Sequence, residues 1–181
     1  MKKQYKFLRL KGKKIVSESG NETWKLGEWK TCKDKLDMCN TGYHCSPTIY
    51  GAFSYIQGEV LAEVETKGKK LEDNTKTCNE NMRLVKAWKW TKKDSLSLAI
   101  YAAEKVLHIF EKKYPNDKRP REAIEAAKKV LFKDTKKNRD AARDAAGAAG
   151  AAAWAAAGAA AFLKDIDKWM RNRVKELEEI K

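Results

Sequence analysis

No segment of this 181-residue chain has the composition of a membrane span. The tract from Ala145 to Leu163 is uncharged and nearly long enough, but it is built of Ala and Gly. These contribute little transfer energy beside the Leu, Ile, Phe and Val of a true span, and no aromatic belt brackets the tract. The opening residues Met1 to Leu10 are basic and lack the apolar core of a secretory signal. Both absences predict a cytoplasmic protein in which Cys32, Cys39, Cys45 and Cys78 stay reduced. No CxxC knuckle, helix-turn-helix or zinc-finger pattern is present, which argues against a bound metal and against reading of a specific base sequence. No strong catalytic signature appears either, so no catalytic residue and no cofactor are assigned, and a binding protein is expected before an enzyme.

What the chain has in excess is positive charge, 39 Lys and Arg against 25 Asp and Glu, for a formal net charge of +14. Such an excess favours polyanionic partners: an acidic protein surface, a protein–nucleic acid complex or a nucleotide. It also has alanine. From Ala141 to Ala161 the chain is nearly all Ala, interrupted by Gly147, Gly150, Gly158, Trp154 and the pair Arg143/Asp144. Alanine is the best helix former and glycine lets another backbone come close, so the tract predicts a helix built for tight packing, at the centre of a bundle. A flat Ala/Gly face also suits a partner or a second copy of the chain, which makes a homo-oligomer an expected assembly.

Composition changes near Thr91, dividing the chain into residues 1–90 and 91–181. Gln4 to Leu10 alternates as a strand does, Ile15-Val16 follows a lysine-rich turn, and Thr23 to Trp29 is a further short strand candidate. Ser46-Pro47 reads as the N-cap and first position of a helix reaching Gln57, with Gly58 as its stop. Glu59 to Thr66 and Met82 to Trp90 read as strands, the first with one polar face. Thr91 can cap a helix from Lys92 to Lys113 carrying Leu96, Ile100, Ala103, Leu107 and Phe110 on one side. A second helix begins near Arg119-Pro120, and Asp134-Thr135 precedes the alanine helix. Ile166, Trp169, Met170, Val174, Leu177 and Ile180 make a final amphipathic one. The expected fold class is α+β, a small mixed or antiparallel sheet unit followed by an Ala-rich helical bundle.

Candidate chemistry concentrates in Cys39-Asn40-Thr41-Gly42-Tyr43-His44-Cys45-Ser46. The Asn-x-Gly turn leads Tyr43 and His44 toward the helix at Pro47 and marks them as binding residues. Adjacent His44 and Cys45 point opposite ways if extended, which disfavours a Cys–His nucleophile or a zinc site between them. In the second half, Arg139 and Arg143 lie four apart on one helical face and Arg119 with Arg121 at the adjoining loop, so the four can converge on one anion or acidic surface. The competing expectation is pairing within the chain to Glu122, Glu125, Asp140 and Asp144. Trp88 and Trp90 are candidate aromatic contacts for a nucleotide.

Two resemblances extend this reading. Met38-Cys39, Gly42-Tyr43-His44, the helix with Ala52 and Tyr55, and Glu59 to Glu65 together resemble an uncharacterised domain family of phage and bacterial proteins with an LC-xx-GFH pattern. The same order of parts is similar to the core of ADP-ribosyltransferases, which implies His44-Cys45-Ser46 in place of the family's STS triplet and Glu80 as the acid, although no E-x-E or Q-x-E pair lies near Glu80. Asp117-Lys118-Arg119-Pro120-Arg121-Glu122-Ala123-Ile124-Glu125-Ala126-Ala127, then Arg139-Asp140-Ala141-Ala142-Arg143 and the alanine tract, resemble the all-helical immunity proteins found beside polymorphic toxins. The final Trp169, Arg171, Arg173 and Leu177 follow that family, and Trp154 stands where it often has His. That resemblance implies an inhibitor that blocks an effector through a basic surface, as a toxin-immunity protein or a phage counter-defence protein. A sponge for a phosphorylated signalling nucleotide and an ADP-ribosyltransferase-like enzyme are the alternatives.

Overall fold

The alternating segment Gln4–Lys11 is strand β1 of a computed structural model that describes residues 3–19, 22–140 and 160–181. It turns at Gly12 into β2 (Lys14–Val16), which pairs in turn with β3 (Thr23–Trp24). The other edge of β1 takes β6 (Val60–Glu72), which forms a long hairpin with β7 (Thr77–Lys89). The short strands β4 (Lys30–Thr31) and β5 (Tyr43–Cys45) both add to β7. The result is a seven-stranded antiparallel sheet with the path β3-β2-β1-β6-β7-β4.

Both faces of this sheet are covered where β1, β6 and β7 meet. Val60, Ala62 and Val64 enter a core with Leu8, Ile15, Trp24, Met82 and Leu84. Leu61, expected on a polar face, is fully buried. It sits opposite Phe7, whose ring meets Phe53 and Trp90 edge-on at 5.2 and 5.6 Å. Phe53 belongs to α1 (Ile49–Tyr55), which buries Ile49 and Ala52. That helix starts two residues later than Ser46-Pro47 predicts. Its N-cap is Thr48, whose hydroxyl accepts from Gly51 N at 3.0 Å, because Ser46 is held by backbone bonds in both directions with Tyr5 and its hydroxyl donates to the Thr75 carbonyl.

The other compact unit comprises residues 91–166. Here α2 (Lys92–Lys113) opens on a capping box, Thr91 accepting from Asp94 N while the Asp94 carboxylate accepts from Thr91 N at 2.8 Å. Thr91→Ala removes half of this exchange and is expected to cost about 1 kcal/mol, read as a lower urea midpoint. The buried side of α2 includes Leu98 and Val106 as well as Ile100, a different stripe from the expected one. Pro120 lies in the first turn of α3 (Arg119–Phe132), where a missing N–H does no harm, and Ile124 is its buried residue. Helix resumes at 136–140 with Thr135 accepting from Asn138 N. The alanine tract up to residue 159, with the expected central helix, Arg143 and Trp154, lies outside the described residues.

The last helix, α4 (Ala160–Val174), carries the chain back to the sheet, since residues 167–181 form one compact unit with 1–90. Composition does not mark this return. It is made by Met170, fully buried, and by backbone bonds from Lys89 N to Glu178 O and from Ile180 N to Ala87 O at 2.9 and 2.8 Å. Among the described residues no helix is long and apolar enough to cross a membrane.

Candidate functional site

The segment singled out around His44 does line a cavity, of about 210 Å³, between the Tyr5–Phe7 edge of β1, the end of β5 and α1. His44 reaches it together with Lys6, Cys39 and Lys76. Cys39 has φ +70, in the left-handed region that few non-glycine residues adopt. Its N–H donates to His44 Nε2 at 2.9 Å, so that nitrogen is an acceptor and the ring is neutral in this arrangement. Burial holds the His44 pKa below its ordinary value, with Lys6 and Lys76 pushing the same way. Lys76 Nζ donates to Cys39 Sγ at 2.8 Å and stands 4.4 Å from the Tyr55 ring centroid. Cys45 also borders the cavity, but its thiol is engaged in the interior, where it bonds Gln4 and Thr77 and burial raises its pKa.

The remaining residues expected at a site are dispersed. Tyr43 donates to Glu22 at 3.1 Å and packs on Trp24, its phenol pushed up to about 12 by burial first and then by Glu22. Trp90 is buried against Phe7 and Phe53, and Trp88 is buried opposite Leu61, so both serve the core and neither is presented to a nucleotide. Glu80 accepts from Lys69 N at the β6 irregularity and does not line the cavity with His44. Among the described residues no group of three or more His, Cys, Asp or Glu is placed to hold a metal ion.

In the helical unit the described arginines each take a separate acid, and not the ones their spacing suggests. Arg119 grips Asp117 through Nε and Nη2 at 2.9 and 2.6 Å and holds that carboxyl down at about 2. Arg121 grips Glu111 through Nε and Nη2, both at 2.7 Å, which ties α3 to α2. Arg139 pairs with Asp134. Sequence spacing pointed to Glu122, Glu125 and Asp140 because it sees helical neighbours; the actual partners come from the loops before the helices and from the facing helix. The Arg119 fork borders an open groove floored by residues 113–118, Arg121 lies two residues on, and both side chains are more than half exposed, 63% and 55%. Each fork uses one edge of a guanidinium, leaving Nη1 for a partner.

No curated protein and no solved structure matches the chain. Residues 8–94, which hold β2 to β7 and the second half of β1, match a domain of unknown function, DUF7666. Residues 87–164, which hold the arginine corner and both of its helices, are similar to the family described as Imm-5 like putative immunity protein.

Proposed function

We propose that this chain is a non-enzymatic inhibitor of the toxin-immunity type, which blocks a partner effector through the exposed corner at Asp117 to Arg121. The observation that carries this reading is the coincidence of the immunity-like match with two exposed, bidentate arginine forks in one loop-and-helix corner. Bidentate pairing fixes each guanidinium plane before binding, so less side-chain freedom is lost on contact. An acidic partner surface suits both the forks and the net charge of +14. A phage counter-defence protein blocking a nucleic-acid-bearing complex would use the same surface, and the identity of the captured partner separates the two.

The test is affinity capture with the tagged chain from cells carrying its native genetic neighbours, washed at moderate salt. A stoichiometric protein partner is expected, and the Arg119→Glu/Arg121→Glu variant is expected to bind it at least about a hundredfold more weakly, in line with turning two charge-assisted contacts to an acidic surface into repulsion. Equal capture by the double variant, with its helix content intact by circular dichroism, overturns the assignment of the surface. Recovery of a small nucleotide without protein overturns the inhibitor reading itself.

A further inference from the structure

The cavity beside β1 and α1 has an unusual electrostatic lining. Lys6 comes from the middle of a strand and donates to the His44 carbonyl at 2.9 Å; its amine is crowded enough by protein that desolvation lowers its pKa. Lys76 closes the opposite wall. It is fixed there by an Asx turn in which Asp73 Oδ1 accepts from Thr75 N at 2.7 Å and from Lys76 N at 2.9 Å, so the nearest carboxylate is engaged with backbone amides. Among the described residues no Asp or Glu lines the cavity. Glu22 acts on the Lys6 amine only from a distance, engaged by the Tyr43 hydroxyl and Lys30 outside the cavity lining. A crowded ammonium with no carboxylate hydrogen-bonded to it is costly, and an anion brought to it would offset that cost.

The backbone adds a donor. Tyr5 exchanges both backbone bonds with Ser46 on the outer edge of β1, and Arg9 pairs with Val16 on that same edge. Phe7 lies between them, and strand periodicity turns its N–H to this side, where no strand pairs with it among the described residues. Phe7, Ala52, Tyr55 and Ile56 supply apolar walls. At about 210 Å³ the space is below the roughly 300–1,000 Å³ of drug-sized ligand sites, so it suits a molecule smaller than a mononucleotide.

We infer that this cavity is a binding site for a small organic anion, its charged oxygens held by Lys6, Lys76 and the Phe7 amide and its apolar body packed on Tyr55 and Ile56. The site belongs to the sheet unit alone and is independent of the arginine corner.

Calorimetric titration of the whole chain with benzoate and with phenyl phosphate tests it, with neutral benzamide and inorganic phosphate alongside. One-to-one binding of either organic anion is expected, with benzamide silent and inorganic phosphate weaker than phenyl phosphate; which anion binds better tells a carboxylate ligand from a phosphate ester. Lys6→Met and Lys76→Met should each weaken binding at least about tenfold, as loss of a charge-assisted contact does, whereas Lys13→Met, exposed near the β1–β2 turn, should not. Should Lys6→Met fail to fold, Lys76→Met decides, because that side chain sits on a surface turn. The site is overturned if neither organic anion binds at millimolar concentration, if benzamide or inorganic phosphate binds as well, or if the folded Lys variants bind unchanged.

Discussion

Asp167→Ala is expected to destabilise the sheet unit by about 2–4 kcal/mol, which is large for a single polar side chain. Asp167 stands on α4, far along the chain from α1, yet its Oδ1 accepts from Ile49 N at 2.7 Å and from Tyr50 N at 3.2 Å. These are the first two amides of α1, and Thr48 takes the third. A seven-residue helix cannot sustain itself in water, so the satisfaction of its leading N–H groups from another element decides whether it forms here. Oδ2 accepts from Arg171 Nε at 2.8 Å, and Arg171 Nη1 donates to the Tyr5 hydroxyl at 2.7 Å, so the carboxylate also links α4 to β1. Arg171 is 43% exposed and would be resolvated on losing its partner, whereas Ile49 is buried and its amide would not. The cost therefore sits on the helix side. Asp167→Asn retains an acceptor for the amides and should lose only about 1 kcal/mol, and Arg171→Ala a similar amount. Urea unfolding followed by tryptophan fluorescence gives the order; alanine and asparagine variants of equal stability would show that Asp167 does not cap α1.

The elements with local signals were legible in the sequence. Alternation marked β1, Thr91 as a capping hydroxyl marked the start of α2, and Pro120 marked α3. The far part of the β6–β7 hairpin was not, because Lys67, Lys69 and Lys70 are exposed and leave no apolar alternation to read. Trp88 and Trp90 looked like ligand contacts for want of a partner; their burial depends on Phe7 and Leu61 arriving from strands remote in sequence. His44 was found from turn chemistry, but Lys6 was invisible as a cavity residue, since a lysine in an alternating strand reads as its solvent face. Cys39 and Lys76 meet across 37 positions, a closeness that only the pairing of β5 with β7 creates. The acid that pairs with Arg121 was not legible, because Glu111 faces it from another helix.

The largest loss should follow from a single methyl group at Gly58. This residue is buried between α1 and β6, and a Cβ there would fall onto the Leu8 carbonyl, its carbon only 2.7 Å away and its oxygen closer still. The obstacle is backbone, so no rotamer change relieves it. Leu8 is fully buried and paired with Val60, two residues past Gly58, which leaves β1 unable to yield without breaking its register with β6. Gly58→Ala is therefore expected to cost about 3 kcal/mol or more, or to prevent folding, through overpacking. Gly12→Ala is the informative comparison. At Gly12 a Cβ meets open space, and only the positive φ of +60 opposes it, for about 1 kcal/mol. The two changes are chemically identical and act through different physics, one through contact and one through local conformation. Denaturation midpoints for the pair, measured side by side, should place Gly58→Ala well below Gly12→Ala; the reverse order would mean that β1 and the α1–β6 connection do not approach as closely as the Leu8–Val60 register requires.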